Sequence, residues 1–131
     1  MGRKKGYYIN GIRIIPTEDE EQIAVFSWAS LNLGRFPELK LMHHIPNGGK
    51  RSKTEAMRFR AMGVKAGVCD IFLPVSRGKW HGLYIEMKAL DGRVSKEQNE
   101  YMAAVREQGF YCCVCYGADE AIRVISDYLL I

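Results

Sequence analysis

Apolar and polar positions change rhythm several times along the chain, and each change predicts an element. Residues 1–15 carry charge, glycine and tyrosine with no helical period, so they read as a basic arm with a short strand near Tyr7 to Ile9. Pro16-Thr17-Glu18-Asp19-Glu20 then opens a helix. Thr17 can cap its free N–H groups, Glu20 can bond back to the cap, and an acidic first turn suits the helix dipole. Ile23, Phe26, Ala29, Leu31 and Leu33 supply an apolar stripe, and Gly34 ends it. Leu39 to Ile45 reads as a strand, and Pro46-Asn47-Gly48-Gly49 as a turn dense in chain-breaking residues.

Ser52-Lys53-Thr54-Glu55 is a second capping pattern, opening a short helix that Gly63 closes. Val68 to Val75 and Gly82 to Lys88 are β-rich runs separated by a turn at Ser76-Arg77-Gly78-Lys79. After the Asp91-Gly92 turn, Ser95-Lys96-Glu97-Gln98 caps a third helix that runs to Gly109. Phe110 to Tyr116 is almost continuously apolar, the signature of a strand buried on both faces. Asp119 to Leu130 closes the chain as an amphipathic helix with Ala121, Ile122, Ile125 and Leu129 inward. The sum is an α/β fold: one domain over residues 17–131 behind an arm of residues 1–16, with helices flanking a mixed central sheet.

Composition narrows the classes. At 131 residues, 47% hydrophobic and 26% charged, the chain is a foldable single domain rather than a disordered one. No apolar run reaches the roughly 18 residues of a membrane span. The basic start, Met1 to Lys5, has no apolar segment after it, so a cytoplasmic protein is expected, with no membrane partner. A net charge of +4 is compatible with a phosphate-rich partner without requiring one. Cys69, Cys112, Cys113 and Cys115 lack metal-pair spacing and read as reduced, packed thiols. His43 and His44 are neighbours on a strand and face opposite ways, which argues against a paired imidazole ligand set.

The chemistry concentrates in Asp70, Glu86 and Lys88. Glu86 and Lys88 are two apart on a strand and share a face, while Leu83, Ile85 and Met87 take the other. Charge on an inner strand is costly unless a site uses it, and Asp70 lies in a run otherwise apolar. If the two strands pair antiparallel, Asp70 and Glu86 converge, giving the hard oxygen donors that Mg²⁺ takes. The alternative is a chance Glu-x-Lys on a solvated edge strand.

The blocks Gly63 to Leu73, Leu83-Tyr84-Ile85-Glu86-Met87-Lys88 and Gly92 to Gln98 together resemble the VRR-NUC family of the PD-(D/E)XK nuclease superfamily. The small stand-alone members of phages and bacteria look closest, and the similarity runs from about Thr17 to Leu130. It implies a restriction-endonuclease-like αβββαβ core, in agreement with the order read from capping and periodicity. It also implies that Asp70 and Glu86 are metal ligands and that Lys88 is the catalytic lysine. Gln98 matches the family's motif glutamine; its other reading is a capping partner of Ser95. Glu18, four residues before Gln22, is the expected first-helix acid, with Glu21 as the substitute. One departure is Cys69, where the superfamily has proline.

From this follows an expected Mg²⁺- or Mn²⁺-dependent DNA endonuclease that leaves 5′-phosphate ends and is selective for branched or junction DNA. The carbonyl of Met87 is expected as a further ligand, and no organic cofactor is implied. Lys50 and Arg51 either contact phosphate from a glycine-rich loop or decorate an ordinary turn, and Arg3 to Lys5 either touch DNA or form a plain tail. Size and resemblance together lead to the expectation of a homodimer in a bacterial cell or phage-infected host. The rival reading is a catalytically idle module that binds branched or bent duplex; a third is a small protein-interaction domain.

Overall fold

The computed structural model describes residues 6–47 and 51–131, so Arg3, Lys4, Lys5 and Lys50 lie outside the described residues. Along the chain come β1 (Tyr7–Ile9), β2 (Ile12–Ile14), α1 (Glu18–Leu31), β3 (His43–His44), α2 (Lys53–Ala61), β4 (Ile71–Leu73), β5 (Leu83–Lys88), α3 (Lys96–Glu107), β6 (Tyr111–Tyr116) and α4 (Ala118–Leu129). β3, β4, β5 and β6 form one sheet in that order. The first two pairings are antiparallel and β5–β6 is parallel. Parallel neighbours need a long crossover, and α3 supplies it. The αβββαβ order is thus α1, β3, β4, β5, α3 and β6, with α2 inserted and α4 appended.

Side-chain caps open α1, α2 and α3 where the sequence predicts, while α4 starts after Gly117 with no side-chain cap. Thr17 accepts the N–H of Glu20 at 3.1 Å, and Ser52 accepts that of Glu55 at 3.2 Å. At α3, Ser95 accepts the N–H of Gln98 while Gln98 accepts that of Ser95, a reciprocal box. Gly63 follows α2 with a φ of +102°, a conformation that costs glycine least.

Three local expectations are corrected. The buried stripe of α1 is Glu21, Val25 and Ala29, whereas Ile23 and Leu31 are exposed. A four-residue spacing lays 21, 25 and 29 along one line of the helix, and Ile23 lies well off that line. Residues 39–45 are not one strand: a 3₁₀ turn covers Pro37–Leu41, where Pro37 sits in its first turn, and only His43–His44 pair with β4. The 68–75 run pairs only over Ile71–Leu73. The strand expected near Tyr7 is present and folds back on β2 through Asn10-Gly11, both with positive φ as a tight hairpin requires.

The sheet is covered on two faces. On one, Ile71, Leu73, Leu83, Ile85 and Met87 pack against Val25 and Ala29 of α1 and Ala121, Ile125, Tyr128 and Leu129 of α4. Each large aliphatic side chain buried there contributes about 1.5–3 kcal/mol. On the other, Cys69, Met102 and Cys112 form a smaller cluster with Tyr84, Tyr101, Val105 and Phe110. All four cysteines are free thiols. No helix among the described residues is long and apolar enough to cross a membrane.

Candidate active site

Asp70 stands one residue before β4, and the register that pairs Ile71 with Ile85 carries on to set Asp70 opposite Glu86. Its Oδ2 accepts the backbone N–H of Met87 at 2.7 Å, tying the start of β4 to β5. On β5, alternation sends Leu83, Ile85 and Met87 into the larger core and Glu86 and Lys88 to the opposite face. This is an inner strand, so the Glu86–Lys88 pair is no solvated edge: Glu86 is 1% exposed and Lys88 8%.

The first turn of α1 brings the third carboxylate. Glu18, Asp70 and Glu86 each offer an oxygen within 4.8 Å of the other two. Lys88 Nζ lies 3.8 Å from Glu86 Oε2 and 4.0 Å from Glu18 Oε2. Glu21, the substitute weighed for Glu18, points elsewhere. It is buried with a carboxylate oxygen 2.6 Å from where a Cβ on Gly117 would be, at the N-terminal cap of α4. Negative charge at that helix start is favourable.

Gln98 does both of the jobs the sequence offers as alternatives. Its Oε1 accepts the Ser95 N–H at 2.9 Å while its Nε2 donates to Glu86 Oε2 at 3.2 Å. The cap therefore holds the amide in the orientation that serves the carboxylate. His44 borders the site without any signal in the sequence that places it there. Its Nδ1 lies 2.6 Å from the carbonyl oxygen of Asp70, which can only accept, so that nitrogen carries the proton. The β3–β4 pairing that creates this contact leaves no mark in the local pattern. His43 turns to its other side and meets Phe72 edge-on.

Electrostatics set the character of the cluster. Burial, and then the Asp70 carboxyl beside it, pushes the Glu86 carboxyl up to about 9. Burial also raises Glu18, against the pull of Lys88. One oxygen of Glu86, Oε1, is buried with no hydrogen-bond partner among the described residues. A buried acceptor left unmatched is expensive. With three convergent carboxylates and no sulfur or imidazole among them, the donor set fits a hard divalent cation that takes oxygen ligands. Of Met87, the structure shows the N–H engaged at Asp70. Arg51 lies outside the cluster, its guanidinium 4.1 Å over the ring of Phe59 on α2.

The VRR-NUC domain profile matches residues 12–119, most of the chain. This chain belongs to the VRR-NUC family. A solved structure described as a "VRR_NUC domain protein" agrees with it at a TM-score of 0.77 and 32% identity, over 89% of this chain and 91% of that one. No curated protein matches significantly. VRR-NUC domains are a nuclease family, and every residue of the acidic cluster falls within the matched span. Cys69, the departure from the superfamily proline, is fully buried against Met102 and Cys112, and burial pushes its thiol far up. It fills space in this VRR-NUC domain beside the site rather than in it.

Proposed function

We propose that this VRR-NUC domain is a divalent-ion-dependent DNA endonuclease whose centre is Asp70, Glu86, Glu18 and Lys88. The observation that carries the reading is the convergence of three carboxylates with an ammonium at their edge, one of them Glu86, whose buried Oε1 has no partner among the described residues. Asp70, Glu86 and Glu18, with the adjoining carbonyl of Met87, would hold Mg²⁺ or Mn²⁺. When bound, the ion supplies Lewis-acid polarisation of the phosphate and a more acidic attacking water.

The chain's own groups do the positioning. The Met87 N–H keeps Asp70 turned toward Glu86, and Gln98 holds Glu86 from the other side. Lys88 presents its ammonium toward the phosphate, where it orients the attacking water and offsets charge that develops at phosphorus. The water oxygen bonds to phosphorus in line with the 3′ oxygen and gives up a proton to solvent, the P–O3′ bond breaks, and the 3′ oxygen takes up a proton from solvent as it leaves. The products are a 3′ hydroxyl and a 5′ phosphate.

Branched or junction DNA is the substrate class proposed, acted on by a homodimer with paired sites. The hairpin supports pairing: Tyr7, Ile9, Ile12 and Ile14 share one face of it and are all exposed. An isolated two-stranded hairpin is marginal without something against its apolar face. Incubation of labelled duplex, flap and four-way junction DNA with Mg²⁺, Mn²⁺ or EDTA tests the activity and its selectivity. Absence of cleavage of every substrate with either ion sinks the enzyme reading in favour of an idle DNA-binding module. A monomeric mass in light scattering at working concentration sinks the dimer.

A further inference from the structure

We propose that α2 and its flanks grip the phosphate backbone of the DNA beside the acidic cluster, with Lys53 and Arg60 as direct phosphate contacts. This rests on the nuclease reading for the identity of the ligand. Residues 51–65 contain five basic side chains, Arg51, Lys53, Arg58, Arg60 and Lys65, against one acid, Glu55, a net of +4. The arm of residues 1–16 is also +4, and the rest of the domain, residues 17–50 and 66–131, sums to −4, so within the domain the positive charge is concentrated in this segment.

α2 contributes little to the core. It is the one helix among the described residues with no buried side chain. Lys53, Arg58, Arg60 and Lys65 have no ion-pair partner among the described residues. Lys53, Met57 and Arg60 fall along one face, and seven residues of helix separate the two cations by about 10 Å, the rise of roughly three nucleotides of duplex. Met57 between them is 63% exposed.

The segment is anchored at the mouth of the site. Before α2, the N–H of Ile45 and the ring of His44 both bond to the carbonyl of Asp70. The Asn47 side-chain amide donates to the carbonyl of Lys65 at 2.5 Å, closing the entry of the segment onto its exit. After α2, Gly67 passes directly against the backbone of Glu97 at the start of α3, where no side chain fits. Arg51 is stacked on Phe59, so its charge moves with the helix. Three carboxylates repel an approaching polyanion, and a cationic ridge beside them offsets that repulsion and sets the register of the strand.

The test is the salt dependence of duplex binding, with Ca²⁺ in place of Mg²⁺, for the wild type, the Lys53→Gln/Arg60→Gln double variant and Lys79→Gln. Lys79 is a fair control because it is exposed on the β4–β5 turn, at the far end of those strands from Asp70. The double variant is expected to lower the slope of log K against log salt by about 2, with affinity about tenfold weaker at moderate salt. Lys79→Gln leaves both the slope and the affinity unchanged. An unchanged slope in the double variant, or an equal loss in Lys79→Gln, overturns the interface even if cleavage is intact. Wild-type protein that binds duplex through this slope yet never cleaves with Mg²⁺ or Mn²⁺ overturns the nuclease reading and leaves the interface standing.

Discussion

Asp70 and Met87 are joined by a 2.7 Å hydrogen bond that the backbone N–H of Met87 donates to the carboxylate of Asp70. The contact belongs to no sheet ladder, since the paired residues of β4 begin at Ile71. It turns a carboxylate inward at the point where a second carboxylate, Glu86, is already buried. Two acids held this way oppose folding unless a proton or a cation offsets their charge.

Asp70→Asn keeps an oxygen for the Met87 N–H and removes the charge. Cleavage of a labelled junction is expected to fall at least about a hundredfold, since even residues that only support a metal ligand cost 10- to 100-fold. Circular dichroism should show an unchanged fold. Full activity in the purified variant would remove Asp70 from the centre.

The pH dependence of stability follows from Glu86, whose carboxyl is pushed from 4.5 up to about 9 by burial first and Asp70 next. Across that range the folded chain keeps a proton that the unfolded chain has released. This contribution is whole below about pH 4.5 and is lost as pH rises toward about 9. The melting temperature in EDTA should therefore fall across the window, and Glu86→Gln should flatten the fall. Saturating Mg²⁺ should restore wild-type stability at high pH, by about 2.7 kcal/mol when the ion is at 100 times its dissociation constant.

Lys88→Gln separates binding from chemistry. Its ammonium lies within 4.0 Å of two of the carboxylates, so removing it takes a competing positive charge from the cation's neighbourhood. Calorimetry should record Mg²⁺ binding at least as tight as in the wild type, with cleavage lost. Weaker Mg²⁺ binding together with retained cleavage would contradict the role given to Lys88.

Ser95 and Gln98 form one device with two outputs. Gln98→Ala removes both the reciprocal cap and the donor to Glu86, and should cost about 1 kcal/mol of stability and 10- to 100-fold in activity. Ser95→Ala should cost a similar stability while leaving activity closer to wild type, because the Gln98–Glu86 bond remains. Denaturant melts and initial rates on the same two variants distinguish a cap from a support of the site.

Local chemistry made most of the fold legible in the chain itself. Thr17, Ser52 and Ser95 announce helices because a capping hydroxyl acts within three residues, and the Glu86/Lys88 alternation follows from the two-residue period of any strand. The stretch from Leu39 to Ile45 misleads because a short apolar run satisfies a 3₁₀ turn and a strand equally well. The buried line Glu21-Val25-Ala29 was hidden because it contains a charged residue whose partner surface, at Gly117, is almost a hundred positions away.

Local sequence alone carries the inventory: an acid in one apolar run, Glu-x-Lys in the next and a capped glutamine. Tertiary structure decided which of these meet. The antiparallel register sets Asp70 against Glu86, the placement of α1 selects Glu18 over Glu21, and strand pairing brings His44 to the carbonyl of Asp70. Those choices depend on contacts between residues far apart in the chain, which no local periodicity records, and on the dense packing that leaves each side chain one place to go.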